Sequence, residues 1–199
     1  TYILFERVVF LAVDTYRAKN NYCKPLVESD FKYILNKLLK ISNDQDRLLR
    51  ILQAISSQCD KYSAFNLLPI TSKGSVEFRH RQGTTSPIKL VDWINIIFAL
   101  KNASKQYSIH QLIRRCDDKN SIDLIEDIFR GTSLGNRKKY EHYDLNSLTR
   151  AGANDVKEII HMGALSETSG TKSRARPVNT LLYQFKLKNK LITEQVGDK

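Results

Sequence analysis

At 199 residues, with a hydrophobic content of 41% and a charged content of 27%, the chain has the composition of an ordinary soluble globular protein. No apolar run is long enough to cross a bilayer, which argues against an integral membrane protein and predicts no membrane partner. The net charge of +11 suits polyanions such as nucleic acid, although a solvated basic surface explains the charge more simply.

Apolar residues at helical spacing predict three helices in the first third of the chain, at Tyr2–Asp14, Asp30–Lys40 and Asp44–Gln58. The helical spacing of apolar residues ends after Gln58. Tyr62–Ile70 has extended character, and Ser75–Arg81 alternates in character after a glycine-containing turn. These two segments together predict a β-hairpin.

A long helix is predicted to begin at Pro87, because Ser86 supplies a capping hydroxyl and proline is favoured at the first helical position. Two shorter helices are predicted at Ile109–Arg115 and Ile122–Arg130. The long helix is expected to have Trp93 beside a buried stripe of Ile88, Val91, Ile94, Ile97 and Phe98.

Order is expected to weaken beyond about Ser133. Asp155–Met162 has helical character, whereas Ser166–Arg176 is basic and rich in Ser, Thr and Gly, which predicts a flexible loop. The expected organisation is an α+β domain at residues 1–132, with helices packed on an antiparallel sheet. Residues 133–199 then form a basic, partly flexible C-terminal extension.

The segment Ser75–Arg81 carries the pattern that points to chemistry. On a β-strand, Glu77, Arg79 and Arg81 share one face because side chains alternate. The opposite face receives Val76, Phe78 and His80. A carboxylate is a hard oxygen ligand suited to Mg²⁺, and a guanidinium suits a phosphoryl group or a substrate carboxylate. The strand is therefore predicted to form one wall of a site that uses ATP and metal.

Two segments resemble the amidoligase family, a branch of the carboxylate–amine ligases with a glutamine-synthetase-like fold. The longer one is Lys61–Ile97, with an Asn-Leu strand, a Glu-Phe-Arg strand, Gly-Thr and a helix with an early Trp. The shorter one is Arg17–Pro25, which is similar to the family's Arg-x-x-Asn-x-Tyr-Cys segment. The resemblance covers roughly Tyr2–Asp127 and implies a partial glutamine-synthetase-like catalytic fold.

The resemblance implies an ATP-dependent ligase that phosphorylates a carboxylate to an acyl phosphate, which an amine then attacks to form an amide. The implied substrates are a carboxylate and an amine, borne by small molecules or protein side chains. Glu77 is the implied metal ligand for Mg²⁺, and Arg79 is implied to contact the transferring phosphoryl group, so both are candidate catalytic residues. The implied ATP-binding residues are Arg17, Asn20, Gly83 and Thr84.

Three alternatives stay open. Glu77 and Arg79 could form an ordinary ion pair on a solvated sheet face. Ligases of this type normally also place acidic metal ligands on early strands, often as a Glu-x-Glu element. No such element occurs before Arg17. Either an N-terminal metal-binding half precedes Thr1, or the chain is a catalytically degenerate scaffold that serves a structural assembly or binds nucleic acid through its basic tail at Lys172–Arg176.

The three cysteines, Cys23, Cys59 and Cys116, are odd in number and far apart. They contain no Cys-x-x-Cys pair and indicate neither a zinc knuckle nor a disulfide framework. Free thiols are typical of a reducing compartment, so an intracellular, cytoplasmic location is expected. Cys23 and His80 are expected to be buried structural residues.

Overall fold

The computed structural model describes residues 1–28, 47–117 and 121–168. Most of these residues are helical, and a two-stranded antiparallel sheet makes the fold α+β in a loose sense. The elements in chain order are α1 (Tyr2–Val9), α2 (Arg47–Gln58), β1 (Phe65–Asn66), α3 (Pro69–Lys73), β2 (Glu77–Phe78), α4 (Pro87–Gln106), α5 (Ile109–Asp117), α6 (Ser121–Ile128) and α7 (Leu145–Thr168). The predicted helix Asp30–Lys40 and the basic cluster Lys172–Arg176 lie outside the described residues.

The sheet pairs Phe65 with Phe78 and Asn66 with Glu77. The predicted hairpin therefore has the right partners but is much shorter than expected. Tyr62–Ile70 is not extended throughout, because Pro69 starts the short helix α3 inside it. This helix ends at Gly74, whose φ of 63° is the left-handed conformation that glycine adopts at low cost.

The core centres on α1 and α7, which pack closely against each other. They approach so closely at Gly152 that a Cβ atom there would overlap the backbone carbonyl of Leu4. Next to this crossing, Arg7 on α1 donates to the carboxylate of Asp155 on α7, and both side chains are almost fully buried. A small residue and a buried ion pair thus fix how the two helices meet.

The expectation that order weakens beyond Ser133 is wrong for Ser133–Thr168. Two 3₁₀ turns, Ser133–Gly135 and Arg137–Tyr140, lead into the 24-residue helix α7. Leu134 and Leu148 are buried in the same apolar cluster as α1. Apolar residues on both sides of the predicted boundary at residue 132 therefore share one core, and the division into two parts stays a prediction.

Helix α4 begins as predicted, since the Ser86 hydroxyl accepts a hydrogen bond from the backbone N–H of Lys89 and Pro87 is the first helical residue. Its predicted buried face is wrong. The buried residues are Trp93, Ile96, Leu100 and Ala103. The expected core residues Ile88, Val91, Ile94 and Phe98 are exposed, and Ile97 is half-buried. Apolar side chains surround most of this helix, so spacing alone does not select the inner face.

Among the described helices, none combines the length and the apolar character that a membrane span requires.

Candidate functional site

Three segments distant in sequence meet beside the two-stranded sheet. Backbone hydrogen bonds join Lys24 to Tyr62 and Ala64, at 2.9 and 2.7 Å. The next bond runs from the N–H of Arg79 to the carbonyl of Ala64, at 2.8 Å. The segment around Arg17 and the strand with Glu77, which sequence analysis singled out separately, therefore belong to one structural unit.

Glu77 is held as an ionised carboxylate at the surface of this unit. Its side chain is 46% exposed, and its Oε2 atom accepts hydrogen bonds from Asn66 Nδ2 and Arg79 Nη2, both at 2.9 Å. The bond from Asn66 is the main cause that lowers the pKa of Glu77, and Arg79 acts in the same direction. Within the described residues, Oε1 accepts no hydrogen bond and is therefore the oxygen available to a further ligand.

Two guanidinium donors on the same segment find no acceptor in the part of the chain that the structure describes. The Nε atoms of Arg79 and Arg81 are buried, and neither has a hydrogen-bond partner among the residues that the structure describes. A buried donor without a partner costs roughly 1–3 kcal/mol, so such atoms normally pair with protein, water or a bound ion. Phosphate and carboxylate oxygens are the acceptors that guanidinium groups match best.

Arg17 holds the backbone of this segment. Its Nε donates to the carbonyl of His80 at 2.8 Å, and its Nη2 donates to the carbonyl of Arg79 at 2.5 Å. Its positive charge also partly offsets the burial that raises the pKa of the Cys23 thiol. These contacts give Arg17 a positioning role for Arg79, and its predicted contact with a nucleotide stays a prediction.

The other predicted ligand-binding residues shape turns. The Oδ1 atom of Asn20 accepts from the N–H of Tyr22 at 2.8 Å, and the hydroxyl of Thr84 accepts from the N–H of Ser86 at 3.2 Å. Gly83 is exposed, with open space where a Cβ would lie. Gly83 and Thr84 precede α4, as expected, and the proposed ATP contacts of all three residues stay predictions.

His80 is a core residue, as predicted, because it is fully buried among the rings of Tyr2, Phe10, Phe78 and Trp93. Burial, reinforced by the charge of Arg17, lowers its pKa to about 3. Its Nε2 lies 2.7 Å from the hydroxyl of Tyr2.

A buried carboxylate, Glu6, was missed by the sequence analysis. Its Oε1 accepts from the hydroxyl of Tyr2 at 2.8 Å and from the N–H of Leu26 at 2.5 Å, and Oε2 accepts from Val27 at 3.2 Å. Burial nevertheless raises its pKa to about 7. The sequence does contain a signal for this buried carboxylate, because Glu6 is the single acid of a mostly apolar helix and lies four residues after Tyr2. Glu6, Tyr2 and His80 thus form a buried chain of hydrogen-bonded side chains.

The described residues could provide only part of a binding site for Mg²⁺. Within residues 1–28, 47–117 and 121–168, no group of three His, Cys, Asp or Glu side chains is placed to hold a metal ion. Glu77 therefore offers one carboxylate. Mg²⁺ is commonly bound by one or two protein carboxylates, with substrate phosphates and water completing the octahedron.

No protein-family model, no curated protein and no solved structure matches this chain. The contacts around Glu77 and Arg79 and the resemblance of two segments to the amidoligase family therefore remain as the guides to function.

Proposed function

We propose that this protein is an ATP-dependent carboxylate–amine ligase of the amidoligase type, with a glutamine-synthetase-like catalytic fold. The observation that carries the proposal is the pairing of the ionised carboxylate of Glu77 with Arg79, beside two buried guanidinium Nε atoms for which the described residues provide no acceptor. This is a suitable environment for a phosphate group and its metal ion.

In the proposed reaction, a carboxylate oxygen of the first substrate attacks the γ-phosphorus of ATP, and ADP leaves. The nitrogen of the second substrate then attacks the acyl carbon, loses a proton and releases phosphate. Arg79, with Arg81 beside it, would donate hydrogen bonds to the oxygens of the transferring group, where negative charge accumulates. Bound Mg²⁺ would supply charge neutralisation on the phosphates.

Glu77 would hold that metal ion through Oε1, because Oε2 is already engaged by Asn66 and Arg79. Arg17 would act indirectly. By donating to the carbonyls of Arg79 and His80, it fixes the direction in which the Arg79 side chain leaves the backbone. The predicted cytoplasmic location agrees with a reaction that consumes ATP.

The test is binding of a fluorescent ATP analogue with and without Mg²⁺. We expect Glu77→Gln to weaken binding in the presence of Mg²⁺ and to have little effect in its absence. Arg79→Lys should weaken binding about tenfold to a hundredfold in both conditions, because a charge-assisted hydrogen bond contributes roughly 1.5–3 kcal/mol. Glu141→Gln and Arg114→Lys change exposed residues remote in sequence and are the matched controls.

Two results would overturn the proposal: absence of ATP binding under both conditions, or variants at Glu77 and Arg79 that behave like their controls. ADP formation in the presence of Mg²⁺ and an amine acceptor extends the test from binding to turnover.

A second candidate is a degenerate ligase scaffold that binds nucleic acid or serves an assembly. Two observations favour it. The described residues place a single carboxylate in the site, with one oxygen already accepting two hydrogen bonds, and the net charge is +11. It predicts nucleic-acid affinity that falls steeply with salt and is lost when Lys172–Arg176 is neutralised. Salt-independent or absent binding contradicts it.

A further inference from the structure

Helix α4 presents an apolar surface that the rest of the described structure leaves uncovered. We call it the α4 stripe, and it consists of Ile88, Leu90, Val91, Ile94 and Phe98, with exposures of 82%, 49%, 55%, 42% and 53%. At 1.5 Å per residue, the stripe is about 15 Å long. Large side chains that are half-exposed in a continuous row are typical of interaction sites on folded proteins.

The same face of α4 changes character after Phe98. Lys101 and Lys105 follow on the exposed side, and we call them the basic end. Phe98 also lines a cavity of about 500 Å³ between α4 and the end of α6. The carboxamides of Asn102 and Gln106 line that cavity too. The apolar stripe therefore runs into a polar recess beside two lysines.

The positive charge of this face has no acid of its own helix beside it. The single acidic residue of α4 is Asp92, whose carboxylate accepts from the N–H and the hydroxyl of Ser133 at 2.7 and 2.6 Å. Asp127, in the cavity, accepts from Tyr107 at 2.9 Å and from Arg130 at 3.2 Å. Both carboxylates are thus engaged elsewhere, and α4 offers no other acid to Lys101 and Lys105.

We propose that the α4 stripe and the basic end dock an acidic amphipathic helix of a partner protein. The partner's apolar side chains, at helical spacing, would cover Leu90, Val91, Ile94 and Phe98. Its carboxylates would lie beside Lys101 and Lys105. A straight row of side chains on a helix suits a second helix packed along it. The proposal concerns a surface distinct from Glu77 and is independent of the ligase function.

A second copy of this chain fits less well. Two parallel α4 helices would bring the two basic ends together, and like charges side by side cost free energy. Two antiparallel helices would leave both basic ends without an opposite charge, because Asp92, the single acid of α4, is engaged by Ser133. Charge complementarity therefore selects an acidic partner.

The test uses two synthetic peptides of about 18 residues, with leucine at helical spacing and either glutamate or lysine at the flanking positions. Binding is measured by fluorescence anisotropy at low and high salt. We expect the glutamate peptide to bind at least about tenfold more tightly than the lysine peptide, with the difference reduced by salt. Val91→Asp and the double variant Lys101→Glu/Lys105→Glu should each abolish the preference.

Ile160→Asp and Lys138→Glu place the same changes at exposed positions of other elements and should leave binding unchanged. The fluorescence of Trp93, which lies on the buried side of α4, reports whether each variant is folded. If Val91→Asp does not fold, the double lysine variant decides the question, because both lysines are exposed.

Four outcomes would overturn the proposal. They are equal affinity for both peptides, no affinity for either, dimerisation of the protein that Val91→Asp removes, and binding to phosphatidylserine vesicles without binding to the glutamate peptide. The third result would identify a second copy as the occupant, and the fourth would identify an anionic lipid surface.

Discussion

The buried groups Glu6 and His80 should give stability an unusual pH dependence. Glu6 has its pKa raised to about 7 from 4.5 because it is buried. The folded state therefore favours the protonated carboxyl group of Glu6. The stability that this group contributes is lost as the pH rises from 4.5 through 7. His80 has its pKa lowered to about 3 from 6.5, again by burial. Its contribution is lost as the pH falls from 6.5 through 3.

The two effects have opposite signs and overlap between pH 4.5 and 6.5. Each changes the free energy of unfolding by about 1.4 kcal/mol per pH unit inside its own window. In the wild-type protein their contributions should cancel across the overlap. Glu6→Gln removes the contribution of Glu6. As the pH rises across the overlap, the free energy of unfolding of this variant should therefore increase by about 3 kcal/mol relative to the wild type.

His80→Phe should do the reverse. It keeps an aromatic ring among Tyr2, Phe10 and Trp93 but removes the titrating group. Its stability relative to the wild type should fall by about 3 kcal/mol as the pH rises across the same window. Because each variant is compared with the wild type at the same pH, the titration of surface carboxylates cancels in the comparison.

Urea unfolding, followed through the fluorescence of Trp93, measures these differences at intervals of one pH unit. This tryptophan is the only one in the chain, and its ring lies 5.5 Å from that of His80. If Glu6→Gln and the wild type give parallel profiles, the carboxylate is already ionised without penalty. Burial of Glu6 then does not raise its pKa, contrary to this prediction.

Two further predictions compare a close-packed position with an open one. Gly152→Ala should lower the free energy of unfolding by about 1–3 kcal/mol, because the new methyl group meets the backbone of Leu4. Gly83→Ala places its methyl group in open space and should change the free energy of unfolding by less than about 0.5 kcal/mol. Equal effects of the two variants would contradict the close contact between α1 and α7. Ile96→Ala should cost about 2–5 kcal/mol and Ile94→Ala should be nearly neutral, because only Ile96 is fully buried. If urea unfolding shows a larger loss of stability for Ile94→Ala than for Ile96→Ala, the buried face of α4 is the one that the spacing of its apolar residues predicted.

The sequence was sufficient where the signal is local. The cap at Ser86 and Pro87 depends on two adjacent residues, and the structure confirms it. The alternation at Glu77 and Phe78 depends on the two-residue period of extended backbone, and the strand pairs as expected. Such features can be predicted because the residues that cause them are neighbours in the chain.

The inner face of α4 and the role of Arg17 required three-dimensional information. Ile88, Val91 and Ile94 have the same hydrophobicity and spacing as a buried stripe, and the choice between faces is made by Trp93 against Phe78 and His80. Arg17 and the carbonyls that it binds are more than sixty residues apart. No local pattern marks a backbone carbonyl as the partner of a distant guanidinium.

The geometry of Arg17 also indicates why two separate motifs occur in one chain. An isolated two-stranded hairpin is at best marginally stable in water, so this short pair depends on contacts from outside the sheet. Here the direction of Arg79 is set from outside the sheet, by Arg17 on its carbonyl and by the burial of His80 next to it. Loss of Arg17 should therefore disturb Arg79 before any ligand is present. Arg17→Lys, which keeps the charge but not the two-pronged contact, separates this positioning role from direct binding of phosphate.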